Sequence, residues 1–572
     1  MRHWGGVPSV ALAVLFAILQ SVPASSYLHK FDTDPQSGIS MEFIMPFDTI
    51  APNGGAPVRV RIENRGASEA RWIFDFQSPG DGYNPDRAQI VHSRFAARVG
   101  AGSLREFEFL VPLRTAADAH YHHSGLGLNV EGPGLRSNEH TFPSSSRGGG
   151  RRLGNIGFSE KLIGAQDLAL TNALKAKSID KTYAVGDPAL LPDDWRGLSA
   201  YDQLWITSSE WDALSAGLRL AIEQWTATGG ILYKCAPGAA EAEVKAGLGS
   251  VRTFPQQADE SLDLKKLMER MDKPGRPAFM ESLSAYAGSW PDKTWIPPYS
   301  ANTPLLILVI FAFGLIVGPI NIFVLAGKEK RARIFWLTPL ISVAGTVVIG
   351  LTIFIQDGFG GWGHRLALVA IQPDRHTEVI VQEQASKTGV LPASVFRLDP
   401  DAMVRQLPTG RRSAKCSVDG VEYSGDWFQS RSVQGQLITA VRPTRSAIRL
   451  LNAGEVAAGS PPRILSQIGG QLERIYFLAG DGKVYRADDV GPGREATMKP
   501  DTLKDAMTVL RNDFFRNAGP RMHALTGFPK LETGWFYGLA LKARSSMVPT
   551  LGSIRWTSDD RALFLCPATL NP

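Results

Sequence analysis

Cys235 is the residue whose type and place could do chemistry. It follows an apolar, strand-like run, Ile231 to Tyr233, and precedes Ala236, Pro237 and Gly238, so a thiol would stand where a strand gives way to a turn. A thiol attacks as its thiolate, and from a free pKa of about 8.5 it needs a base or a cation beside it. No histidine occurs between His140 and His364, Lys234 stands where a small residue would be expected, and Pro237 has no amide to donate to an oxyanion. Cys235 therefore reads either as a catalytic nucleophile or as a half-buried residue at a strand end. Two acids, Asp202 and Glu210, are further candidates, with bland alternatives: Asp202 ends a turn before its strand, and Glu210 sits on a solvated loop. His120, His122 and His123 could form a metal patch. No carboxylate or cysteine partner lies at ligand spacing, so the same residues read as a solvated loop.

Two glycine clusters imply no cofactor. Gly148 to Gly150 lack a preceding strand, and Gly358 to Gly363 match GxGxxG in the wrong context, after an apolar helix and before a strand. The second cluster is expected to be a flexible exit linker. The three cysteines, Cys235, Cys416 and Cys566, have no CxxC spacing and suggest neither a zinc site nor a disulfide framework. A single Cys416–Cys566 bridge could form in an oxidising compartment.

The elements that must hold these residues are arranged around a hairpin. Thr303 to Leu325 and Ile334 to Gln356 each approach the roughly 20 apolar residues that cross a bilayer core as a helix, and neither carries a charge before its end. Lys328, Lys330, Arg331 and Arg333 lie between them against a single acid, Glu329. Positive charge marks the cytoplasmic side, so both flanking regions are expected to face outward. Trp295, Tyr299, Trp336 and Trp362 fall near the membrane boundaries. Gly318, Pro319 and Asn321 interrupt the first span. They read either as a tolerated kink or as a packing notch for another membrane helix.

Residues 1–26 have the pattern of a signal peptide, with Arg2 and His3, an apolar run from Val7 to Leu19, and small residues near Ala24. Short alternating strands over 27–134 suggest an immunoglobulin-like β-sandwich, followed by a Ser- and Gly-rich linker over 135–152. From 153 to 290 strands alternate with helices. Leu214, Leu218, Ile222 and Trp225 recur at helical spacing, starting near Ser215 as a cap and stopping at Gly229-Gly230, so this is a small α/β domain with a mainly parallel sheet. Residues 362–572 read as a second β-rich domain of one sandwich or two sheets, with a helix after Thr502 whose Leu503, Met507, Leu510 and Phe514 share a face. The fold class is a multidomain α+β membrane protein. The net charge of +6 and pI near 9.1 come from scattered residues, and no nucleic-acid partner is read from them.

Leu191 to Gly197, Tyr201 to Ile206 and Leu214 to Leu232 resemble the class I glutamine amidotransferase-like domain carried by a group of uncharacterised bacterial membrane proteins. Gly318 to Leu325, with the basic residues after it, and Phe335 to Pro339 are similar to the same group. The resemblance covers about 150 to 360. It implies a flavodoxin-like, amidotransferase-like domain exported across a bacterial inner membrane, with the N- and C-terminal domains periplasmic. A glutaminase of that kind would use Cys235 on a tight turn with a histidine base, and the base is missing from this domain.

Two functions follow from these readings. One is a non-enzymatic envelope protein whose degenerate amidotransferase-like domain and β modules bind or assemble other membrane proteins. The alternative is a cysteine-dependent amidotransferase-like or hydrolase enzyme using Cys235.

Overall fold

The computed structural model describes residues 27–51, 53–78, 89–114, 125–142, 154–179, 181, 183–257, 260–272, 278–288, 296, 303–325, 331–407, 414–457 and 460–570. The signal-peptide reading of 1–26 lies outside them. The chain is a mixed α/β protein with several sheets and two long apolar helices. It separates into two compact units: the described residues up to Ser284 with 415–420 and 524–528, and the remainder from Ala285 onward.

The first unit begins with strands β1 (Tyr27–Lys30), β2 (Ile39–Met45), β3 (Gly54–Asn64), β4 (Ala70–Ser78), β5 (Gln89–Val99), β6 (Ser103–Leu113), β7 (Leu126–Glu131) and β8 (Glu139–Phe142). One sheet runs β1-β2-β3-β6 and a second carries the order β5-β4-β7-β8, with every pairing antiparallel. Alternation decides which face is inside: Trp72, Phe74 and Phe76 of β4 are fully buried, while Arg71 on the other face is exposed. Each of the three aromatics contributes roughly 2–3 kcal/mol of burial. They share one core with Phe43, Val60 and Val111 of the facing sheet. Glu139–Phe142 therefore corrects the expected linker: the polar composition there hides an edge strand whose only inward residues are few, Phe142 chief among them.

The same unit continues into a six-stranded sheet. Its strands are β9 (Ile156–Ser159), β10 (Tyr183–Gly186), β11 (Gln203–Thr207), β12 (Ile231–Pro237), β13 (Ala242–Ala246) and β14 (Gly249–Gln256), in the order β10-β9-β11-β12-β14-β13. All neighbours are parallel except β13. Helices α1 (Asp167–Ala176), α2 (Ser208–Ala213), α3 (Ala216–Ala227) and α4 (Leu264–Asp272) accompany it. Ser215 caps α3 by accepting from the Leu218 amide, and Gly229 leaves the helix at φ 118°. The sandwich docks on this domain at Gly186, where a Cβ would stand 1.9 Å from the Pro46 carbonyl, so only glycine admits the approach. Asp48 Oδ1 accepts from the Val185 amide beside it at 2.9 Å.

In the second unit a helix over Thr303–Leu315 runs into a π-helical stretch over Ile316–Leu325, and a second helix spans Ile334–Asp357. Pro319 cannot donate a helical amide bond, and the wider winding lies around it. Both helices are long and apolar enough to cross a membrane, and their large apolar side chains are mostly exposed. Beyond them a ten-stranded sheet is built on the long hairpin of β15 (Gly361–Gln372) and β16 (Thr377–Thr388). Val433–Pro443 pairs antiparallel with β16, and Arg561–Pro567 lies parallel to β15. A smaller four-stranded sheet completes the β-rich region.

Three expectations need correction here. Gly361 to Gly363 are not linker: they open β15 and pair with Ser386 to Thr388. The helix after Thr502 buries Ala506, Leu510 and Phe514, whereas Leu503 is 49% exposed, so the inward stripe follows a four-residue step. Cys416 and Cys566 are both buried, and no disulfide joins them among the described residues.

Candidate functional site

A doubly wound sheet has one natural place for a ligand: outside the carboxyl ends of its strands, where the connections change direction. Here β9 connects outward to β10, and the chain then crosses to β11 on the other side, so the switch lies between β9 and β11. Ser159 ends β9 and Thr207 ends β11. Glu210 lies in the first turn of α2, and its carboxylate fills the space between them. One oxygen accepts from the Ser159 hydroxyl, and the other accepts from the Thr207 amide at 3.0 Å and the Thr207 hydroxyl at 2.8 Å. Thr207 Oγ1 in turn accepts from the Glu210 amide at 3.1 Å, closing a capping box.

Glu210 is therefore no surface-loop residue. It is 7% exposed and Ser159 is fully buried, so the solvated-loop reading is overturned. An acid is usually exposed, but one with three donors around it loses little by burial. The switch-point crevice is occupied by the chain's own carboxylate.

Cys235 lies in the interior of β12, not on a turn after it, because β12 continues to Pro237 in full register with β14. The thiol is opposite Thr207 on one side and Phe254 on the other, and it is 1% exposed. Burial raises its pKa, and the charge of Glu210 raises it further. Both act against a thiolate, so neither the turn nor the ionisation needed by a nucleophile is present. Next to it, Trp205 and Tyr233 stack with ring centres 3.6 Å apart, and Lys234 Nζ lies 4.1 Å from the Trp211 ring centre.

Asp202 works at the opposite end of β11. Its carboxylate accepts from the Asn155 amide at 3.0 Å and the Phe279 amide at 2.8 Å, tying the start of β9 to the 278–284 segment. Asp202, Glu210 and Cys235 are thus not brought together as one set. His120, His122 and His123 lie outside the described residues, and no metal-capable cluster of His, Cys, Asp or Glu occurs among those that are described.

In the apolar hairpin, Asn321 is buried and donates through Nδ2 to Thr338 Oγ1 at 2.8 Å. The amide nitrogen of the notch residue is used on the chain's own second helix, while its buried Oδ1 has no hydrogen-bond partner among the described residues. A Cβ at Gly318 would meet nothing, whereas one at Gly345 would strike the Phe313 ring at 2.2 Å. Lys328 and Lys330 lie outside the described residues, while Arg331 and Arg333 are exposed in a short turn before the second helix.

One buried acid escaped sequence reasoning. Glu383 in β16 is fully buried and accepts from the Tyr286 hydroxyl and from the Gly519 amide at 2.5 Å. Desolvation pushes its carboxyl up to about 7. The signal was an acid in the middle of an otherwise uncharged strand run, Val379 to Ser386, but nothing local names its partner. Arg365 and Asp560 form a second buried pair, with Arg365 also 5.1 Å from the Trp556 ring centre.

No family model matches the chain, and no curated protein matches it. Among solved structures it is similar to a calcium-binding mutant of β-glucuronidase 2 from Bacteroides uniformis, at 9% identity and a TM-score of 0.13. That match covers 38% of this chain, which spans 24% of that one. A β-glucosidase from Kluyveromyces marxianus is 10% identical over 79% of this chain and 45% of its own, at a TM-score of 0.08. Similarity at this level decides neither fold nor activity.

Proposed function

We propose that this chain is a non-enzymatic protein of the bacterial envelope, anchored in the inner membrane by a two-helix hairpin, that binds or assembles other membrane proteins. Its α/β domain is a degenerate member of the amidotransferase-like, flavodoxin-like class, and its first domain is an immunoglobulin-like sandwich. The basic connection between the helices faces the cytoplasm, and both folded regions face the periplasm. One observation carries the loss of chemistry: the switch-point crevice holds Glu210, bound by Ser159 and Thr207, where an amidotransferase-like domain would receive its substrate. The buried, pKa-raised Cys235 supports the same reading.

The test is crosslinking and affinity capture of the full-length protein from native membranes, paired with ammonia release from glutamine by the purified protein. Stoichiometric membrane-protein partners and no ammonia are expected. Ammonia release that is abolished by Cys235→Ala would overturn the reading in favour of a cysteine-dependent enzyme.

A further inference from the structure

A cleft of about 660 Å³ in the second unit is lined by His376, Pro443, Thr444, Arg445, Arg449 and Gln467. None of the six is an acid, and two carry a permanent positive charge. Backbone bonds fix the frame. His376 sits at φ 51° at the tip of the β15–β16 hairpin, and its carbonyl accepts from the Thr444 amide at 2.8 Å. The Gln467 amide donates to the Ala447 carbonyl at 2.8 Å, and the strand holding Arg449 pairs with the strand that ends beside Gln467. Thr444 Oγ1 accepts from the Ser446 amide at 3.1 Å, setting the turn that carries Arg445.

The charges of the lining contrast with those around it. Arg442, three residues before Arg445 at the end of its strand, is bound to Asp399 at 2.8 Å, and Arg463 is bound to Glu495 at 3.1 Å. Arg445 and Arg449 have no acidic partner among the described residues and are both exposed. A guanidinium presents a planar fork of donors that matches the oxygens of a phosphate, and two such forks on a fixed frame select an oxyanion over a neutral group. The volume lies in the range of sites for whole small molecules, so the anion would be carried on a larger body.

We propose that this cleft binds a phosphate-bearing ligand, with Arg445 and Arg449 holding the phosphate and Gln467 the group attached to it. Thr444, bound to Glu378 and to the Ser446 amide, shapes the wall. The phosphate comes either from a soluble small molecule or from the headgroup of an anionic lipid. The site is separate from the α/β domain and does not rest on the assembly role.

The full-length protein in phosphatidylcholine nanodiscs would be titrated calorimetrically with inorganic pyrophosphate. In parallel, native mass spectrometry of detergent-purified protein would compare retention of phosphatidylglycerol with phosphatidylcholine. Binding of either anionic probe should be weakened by added salt, and by about tenfold for each guanidinium lost in Arg445→Ala and Arg449→Ala. Arg463→Ala, outside the cleft, should leave it unchanged. Loss of pyrophosphate binding in the double variant identifies a soluble source; loss of phosphatidylglycerol retention alone identifies a lipid. The Arg445→Lys/Arg449→Lys pair keeps charge and fold and should bind with intermediate strength, which separates lost recognition from a misfolded variant. The proposal is overturned if neither probe binds, or if both bind the double variant as tightly as the natural protein.

Discussion

The Tyr286 hydroxyl donates to the buried carboxylate of Glu383 across 97 residues of chain, and both membrane-length helices lie between the two. The segment entering the apolar hairpin and β16, the second strand after it, are thereby clasped, with the Gly519 amide as a third member. Arg521 joins the group by donating its amide to the Tyr286 oxygen at 3.1 Å.

This clasp should depend on pH. Burial raises Glu383 from 4.5 to about 7. A carboxyl with a native pKa above its unfolded one stabilises the fold fully below about pH 4.5, and that contribution is lost as pH rises through about 7. The change is on the order of 3 kcal/mol. Amide exchange in 285–288 and 380–386, corrected for its intrinsic pH dependence, should show protection falling between pH 5 and 7 and level above it. Glu383→Gln should flatten that profile and, by setting an amide NH2 toward the Gly519 amide, cost about 1–3 kcal/mol. A pH-independent profile in the natural protein would refute the clasp as described.

Glu210 should prove structural. Glu210→Ala leaves the Ser159 hydroxyl and the Thr207 amide without their acceptor in a closed site and breaks the capping box of α2, for about 2–4 kcal/mol. Exchange of the 203–213 amides should accelerate by roughly 30-fold or more. Unchanged protection there would mean that the carboxylate is not what holds the crevice shut.

Cys235 should resist chemistry. In the native protein at pH 7, iodoacetamide should leave it unmodified, and modification should appear only after denaturation, because desolvation and the Glu210 charge both oppose the thiolate. Rapid native labelling at Cys235 would contradict its placement inside β12.

The Asn321–Thr338 bond should be measurable as coupling between the two apolar helices. A cycle of Asn321→Leu, Thr338→Ala and the double variant should give about 0.6–1.7 kcal/mol, the range of such bonds in membranes. Zero coupling would mean that Asn321 faces elsewhere.

Periodicity made much of this fold readable before any coordinates. Leu218, Ile222 and Trp225 located α3 because burial on one helical face repeats locally, and Ser215 marked its start, while Leu214 falls before the cap in extended backbone. The two apolar helices follow from length alone. What the sequence hid was set by distant partners. β12 runs past Tyr233 because Lys234, Cys235 and Ala236 continue the pairing with β14, which alternation of three residues cannot announce. Glu210 looked solvated because Ser159, the donor that closes the site, comes from the end of a strand 51 residues earlier, although the Thr207–Glu210 capping box is local. Glu383 and Tyr286 are joined only by the tertiary fold, so no window of sequence contains both.

The central claim is that the chain crosses the membrane twice and keeps both folded regions on the same, outer side. It is tested most directly by introducing single cysteines at Ser145, at Lys328 and after Pro572, in a background with the natural cysteines replaced, and labelling intact cells with a membrane-impermeant maleimide. Labelling at Ser145 and at the carboxyl end, with Lys328 protected until the membrane is opened, is the expected result. Protection of Ser145 and the carboxyl end together with labelling at Lys328, or labelling on only one side of the hairpin, would contradict it.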